Sequence, residues 1–195
     1  MTGDQDKKTA LFCDCFGEDE ESVRELFACD DITTVCIYDK DRLAAMASLV
    51  PVSVGRPCCS LEHMATLERR ISGYYIYGVC VDRKYRQRGF FRSVMQKAEE
   101  TAKDARADFI CLIPSDLSLA ETYRRYGYNV QVAQVGEVDT EKKIYIMSDV
   151  FRRYAVADDS VAYKKRMRGL LKVLNKDVLD VGDDDISFGD QMGDI

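Results

Sequence analysis

Val79-Cys80-Val81-Asp82-Arg83-Lys84-Tyr85-Arg86-Gln87-Arg88-Gly89-Phe90-Phe91-Arg92 runs a short apolar strand through a basic, glycine-containing turn directly into a helix. Tyr75 to Val81 carry the strand, and Arg86, Gln87, Arg88 and Gly89 make the turn. From Phe90 onward, apolar residues at 90, 91, 94, 95, 98, 102 and 105 recur every three or four positions. That spacing predicts an amphipathic helix with Gln96, Lys97, Glu99, Glu100 and Lys103 facing water. The first-turn N–H groups of such a helix lack intrahelical partners. Together with the positive end of the helix dipole and the arginines of the turn, they suit an anion such as a phosphate. A solvated basic turn on a helix N-terminus is the alternative reading of the same residues.

Working outward, Phe109-Ile110-Cys111-Leu112-Ile113 is a continuous apolar run ended by Pro114, as expected of a central strand buried on both faces. Strand, helix and strand from 74 to 113 then imply a locally parallel pair. Upstream, Thr33 to Tyr38 and Leu43 to Val54 flank Asp39-Lys40-Asp41-Arg42 and predict a hairpin. Asp19-Glu20-Glu21 opens a short helix through Phe27, while residues 1 to 9 are polar and expected to fray. Gly55 to Arg70 reads as a loop with a helical turn over Leu61 to Leu67. Downstream, Ala120 to Tyr126 reads as a helix stopped by Gly127 and followed by a strand. Tyr128 to Val135 and Lys143 to Met147 are expected to pair antiparallel. The fold class is α/β: a single domain with a mixed, mostly antiparallel sheet, one central parallel strand pair and flanking helices.

The ordered set of strand, basic loop, helix, strand and Tyr-x-x-x-Gly-aromatic helix resembles the GCN5-related N-acetyltransferase (GNAT) family. Arg86, Gln87, Arg88, Gly89 and Phe90 fit the family's Arg/Gln-x-x-Gly-x-Gly/Ala loop. Phe91 departs from it, standing where glycine or alanine is usual, and Arg83 stands where proline is common. The second stretch is similar to Asn-x-x-Ala-x-x-x-Tyr-x-x-x-Gly-Phe, with Asp116, Leu119, Tyr123 and Gly127-Tyr128 in the matching places. The likeness spans roughly residues 10 to 150 and is specific from about 74 to 128. It implies acetyl-CoA as co-substrate, held at its diphosphate by Arg86, Gln87, Arg88, Gly89, Phe90 and Phe91, with Arg92 adding charge and Asp116 among the cofactor-binding positions. The backbone of Val79, Cys80 and Val81 would meet the pantetheine arm and the thioester oxygen. Tyr123 would be the catalytic general acid, its phenol directed at the CoA sulfur. Gly78, inside the strand, marks either a bulge or a close approach of another element.

The general base is open among Glu62, His63, Asp82 and an ordered water. Tyr74, Tyr75 and Tyr77 line either an acceptor site or the core. The implied activity is acetyl-CoA-dependent N-acetyl transfer, by direct attack on the thioester, to an amine of a small molecule or protein. The alternative is a non-catalytic acyl-CoA-binding or regulatory and interaction module.

A chain of 195 residues, 46% hydrophobic and 32% charged, is sized for one soluble domain and an appendage. We assign 1–150 to the domain and 151–195 to a basic helix, Ser160 to Lys176, followed by a loose tail. The tail carries seven aspartates between Asp177 and Asp194. Val161, Met167, Leu170, Leu171 and Leu174 give that helix an apolar face, for which a homodimer contact is one use. The net charge of −6 argues against nucleic acid as a partner. No run nears the ~20 apolar residues of a membrane span, and no secretion signal is read, so a cytoplasmic protein is expected. Eight cysteines and a single histidine, with no Cys-x-x-Cys spacing, point to reduced thiols and no metal.

Overall fold

A computed structural model describes residues 2–55, 71–133, 144–148, 168–177, 179 and 186–188. The helical turn expected at 61–67, with Cys58, Cys59, Glu62 and His63, lies outside them. The helices are α1 (Thr2–Phe16), α2 (Glu20–Phe27), α3 (Phe90–Asp104) and α4 (Leu117–Arg125). The strands are β1 (Thr33–Asp39), β2 (Arg42–Gly55), β3 (Ser72–Val81), β4 (Phe109–Leu112), β5 (Val130–Ala133), β6 (Ile144–Met147), β7 (Gly169–Val173) and β8 (Ile186–Phe188). The fold is mixed α/β. The described residues of Met1–Val50 and Ile76–Ala105 form one compact unit, and those of Pro51–Tyr75 and Arg106–Ile195 a second.

In the first unit the expected frayed N-terminus is instead α1, held by Leu11 and Phe12. Phe12 is 2% exposed, and its ring meets Phe16 at 4.7 Å, Phe27 at 5.7 Å and Tyr77 at 5.8 Å. With Leu11, Val23, Leu43, Met46 and Cys80 it makes a core cluster, and burying one such ring contributes about 1.5–3 kcal/mol. Asp19 caps α2 by accepting from the Ser22 N–H at 2.9 Å. The β1–β2 hairpin pairs Asp39 with Arg42, leaving Lys40 and Asp41 as the loop. Lys40 has φ 54, the left-handed conformation that two-residue hairpin loops require. Leu43 to Val50 are buried without alternation, and α3 buries Val94, Met95, Ala98 and Ala102 on one face.

In the second unit β4 is buried at all four residues. It pairs parallel with β3, Gly73 opposite Phe109, and antiparallel with β7, Phe109 opposite Val173. A Cβ on Gly73 would stand 2.5 Å from the Phe109 carbonyl oxygen, so only glycine allows this approach. The strands run β3-β4-β7-β5-β8-β6, with β6 also pairing the end of β2. Asp108, fully buried, ties three of them together. Its carboxylate accepts from the Ser72 N–H at 3.1 Å and the Asn175 side-chain amide at 3.1 Å. Its carbonyl accepts from the N–H groups of Leu174 and Asn175.

Three expectations are corrected here. Gly169–Val173 is a strand rather than part of a Ser160–Lys176 helix, because Leu170 and Leu171 are buried between β4 and β5; residues 160–167 lie outside the described residues. The acidic tail is not loose throughout, since Leu179 and Ile186 are buried and Ile186–Phe188 is β8. β8 also stands between β5 and β6, parallel to both, so those two strands do not form the expected antiparallel pair. The parallel β3–β4 pair is as expected, and β8 adds two more parallel pairings.

Candidate active site

The basic turn is built from the end of β3. Gly78 sits at φ 62, and a Cβ there would lie 2.3 Å from the Phe12 ring. The glycine therefore both breaks the strand's regular path and receives a helix side chain. Val79, Cys80 and Val81 follow this break. The Asp82 N–H bonds the Ala44 carbonyl at 3.0 Å, and its carboxylate accepts from the Lys84 N–H at 2.8 Å, opening a 3-10 turn over Arg83–Tyr85. Asp82 thus acts as a turn cap. Tyr85 is buried and packs edge-on against Phe90 at 5.1 Å, which fixes the turn to the start of α3.

Between those anchors the backbone bends twice into the left-handed region, at Gln87 (φ 60) and Gly89 (φ 86). Arg86 closes the turn by donating Nε–H to the Val81 carbonyl at 3.3 Å. The Arg88 guanidinium lies over the rings of Tyr85 at 5.3 Å and Phe90 at 5.9 Å, which holds its charge beside the loop. Gly89 is the N-cap of α3 and offers no side-chain cap. A Cβ on Gly89 would meet nothing within 4 Å, so the backbone at the start of the helix is open to approach. Phe91 stands half-buried in that first turn and Arg92 is exposed. A diphosphate suits this set: an open approach at Gly89, a helix N-terminus, and Arg86, Arg88 and Arg92 beside it.

Tyr123 and Asp116 lie in the second unit. Tyr123, 6% exposed on α4, packs edge-on against Tyr128 at 5.9 Å. Burial, and secondarily the Asp116 charge, push its phenol up to about 12. The Asp116 carboxylate caps α4, accepting from the Leu119 N–H at 2.8 Å and the Ser115 hydroxyl at 3.3 Å. Gly127, at φ 91, ends the helix as expected. Tyr75 is core; Tyr77 stacks on Phe12 and burial raises its phenol.

Sequence reasoning left Cys15 without a role, yet α1 brings it beside Val81 and Arg86; no pattern in the polar N-terminus announced that helix. Among the described residues no group of His, Cys, Asp and Glu is arranged to hold a metal. Nor is any helix among them long and apolar enough to cross a membrane.

A family model described as acetyltransferase (GNAT) domain matches residues 2–131. The chain belongs to the GNAT acetyltransferase family. No curated protein matches it. Among solved structures, the GNAT protein YhbS from Escherichia coli, in complex with CoA, superposes with a TM-score of 0.60 at 13% identity, over 98% of this chain and 88% of that one. An aminoglycoside 6'-acetyltransferase type Ii gives 0.54 at 15% identity over 87% and 88%. The GCN5-related N-acetyltransferase from Kribbella flavida gives 0.52 at 22% identity over 68% of this chain, which spans only 33% of that structure's length. At these identities the likeness is one of GNAT fold.

Proposed function

We propose that the chain is an acetyl-CoA-dependent N-acetyltransferase acting on an amine of a small molecule or protein. The observation that carries this reading is the uncapped, left-handed turn at Gln87–Gly89 on the N-terminus of α3, set in a GNAT domain. The CoA in the YhbS structure is consistent with the same co-substrate here. Acetyl-CoA supplies an activated acetyl group and a thiolate leaving group. The chain's own residues would do the rest. Backbone N–H groups from Gln87 to Phe91, with Arg86, Arg88 and Arg92, hold the diphosphate. The backbone of Val79, Cys80 and Val81 receives the pantetheine arm and polarises the thioester oxygen. Asp116 contributes by fixing the start of α4, and Tyr123 donates a hydrogen bond to the departing sulfur. Asp82 is spent on its turn, so no described side chain is assigned as base. Tyr74, half-exposed on β3, is left to the acceptor.

The second reading, an acyl-CoA-binding module without turnover, is favoured by Phe91 in place of the family's small residue. Isothermal titration with acetyl-CoA, with ATP and desulfo-CoA as controls, tests the site; thiol release over an amine panel then separates the readings. Saturable binding is expected, and Arg88→Ala should weaken it by about 1–3 kcal/mol. No binding would overturn both readings, and binding without thiol release would select the second.

A further inference from the structure

Cys15, in the last turn of α1, donates its thiol to the Val81 carbonyl at 3.9 Å. Cys80, 1% exposed on β3, donates to the Gly78 carbonyl at 3.2 Å, and Cys15 packs against the core cluster that contains Cys80. The Arg86 guanidinium stands beside Cys15, tethered by its own bond to the Val81 carbonyl. The environments of the two sulfurs differ. Cys15 is half-exposed, and the Cys80 thiol and Arg86 bring it down to about 7 against the opposing effects of burial and Asp14. Cys80 is pushed up by Cys15 and by burial. The thiol of Cys13, two positions earlier on the helix, is raised by burial and then by the neighbouring Glu20, Asp19 and Glu18. A half-exposed sulfur that ionises readily, against a buried protonated one, is the arrangement of an attacking and a resolving cysteine.

We propose that Cys15 and Cys80 are an oxidation site, at which a peroxide converts the two thiols into a disulfide joining α1 to β3. The Cys15 thiolate attacks the peroxide O–O bond, forming Cys15–S–OH and releasing hydroxide, which takes up a proton to become water. The Cys80 sulfur, losing its proton, then attacks the Cys15 sulfur and expels the remaining oxygen as a second water. Two thiols are oxidised by two electrons and one peroxide is reduced. The closed disulfide removes the thiol donor from the Gly78 carbonyl, immediately before Val79.

The test treats the full chain with hydrogen peroxide and maps a non-reducing digest by mass spectrometry. The expected product is a peptide pair linked through Cys15 and Cys80, released by dithiothreitol, retained in Cys13→Ser and absent in Cys15→Ser. Cys80→Ser should stop at a Cys15 sulfenic acid that dimedone traps. If that buried substitution fails to fold, the linked peptide of the unaltered protein decides. A linkage of Cys15 to any other cysteine would overturn the proposal. So would Cys15 advancing to sulfinic acid while Cys80 stays alkylatable. The readout needs no acyl-CoA, so its failure is distinct from failure of the acetyl-transfer reading.

Discussion

Burial holds the Tyr123 phenol protonated far past neutral pH, so it remains a donor wherever an amine is free to react. Full proton transfer to a thiolate near pKa ~8.5 would be uphill by about 5 kcal/mol, so in the proposed reaction the phenol would serve by hydrogen bonding as charge develops on sulfur. Tyr123→Phe should lower turnover about 100-fold while leaving acetyl-CoA affinity intact, checked by kcat against titration. Equal turnover would move the role elsewhere. The same shift has a stability consequence. Between pH 10 and 12 the folded chain keeps this proton and the unfolded chain has released it, so stability falls as pH rises through that window. Urea melts at pH 9 and 11 should show a shallower alkaline loss in Tyr123→Phe. Asp108 is a residue whose importance no motif revealed. Asp108→Ala removes a fully buried carboxylate and with it the acceptor of the Ser72 N–H and the Asn175 amide, and urea denaturation should show about 3 kcal/mol lost.

Among the elements, the segment from β3 through α3 was legible because local chemistry dictates it: apolar strand, glycine at a left-handed turn, then a 3.6-residue period. Gly78 was legible as a special position but not as the seat of Phe12, since α1 has too few apolar residues to declare its buried face. Gly78→Ala should cost about 2–4 kcal/mol, from strain at positive φ and collision with that ring, read as a lowered midpoint in urea. A cost under ~1 kcal/mol would mean that Phe12 yields. β7 was misread because Leu170-Leu171 faces neighbours on both sides, and an unalternating apolar pair does not separate strand from helix. Of the proposed site, the turn and the helix it opens were legible in the sequence, whereas the role proposed for Tyr123 rests on the family resemblance. The Cys15–Cys80 pairing was not legible, because it depends on where α1 packs.

For the whole molecule, composition misled most at the end of the chain, where aspartates outnumber everything else yet Ile186 is completely buried. Tertiary pairing overrides local polarity there. Deleting residues 178–195 removes β8 from between β5 and β6, together with the buried Leu179, and should lower stability by about 3 kcal/mol or more. Calorimetry showing an unchanged melting temperature would refute that. The sheet has one further consequence. β4 finds β3 early on one edge, but its other edge waits for β7, with the whole of α4, β5 and β6 intervening in the chain. A ribosome therefore exposes Phe-Ile-Cys-Leu, uncharged and β-prone, through much of the remaining synthesis. Pairings between segments so far apart in sequence form slowly, so that open edge is where nascent copies would compete to pair with one another.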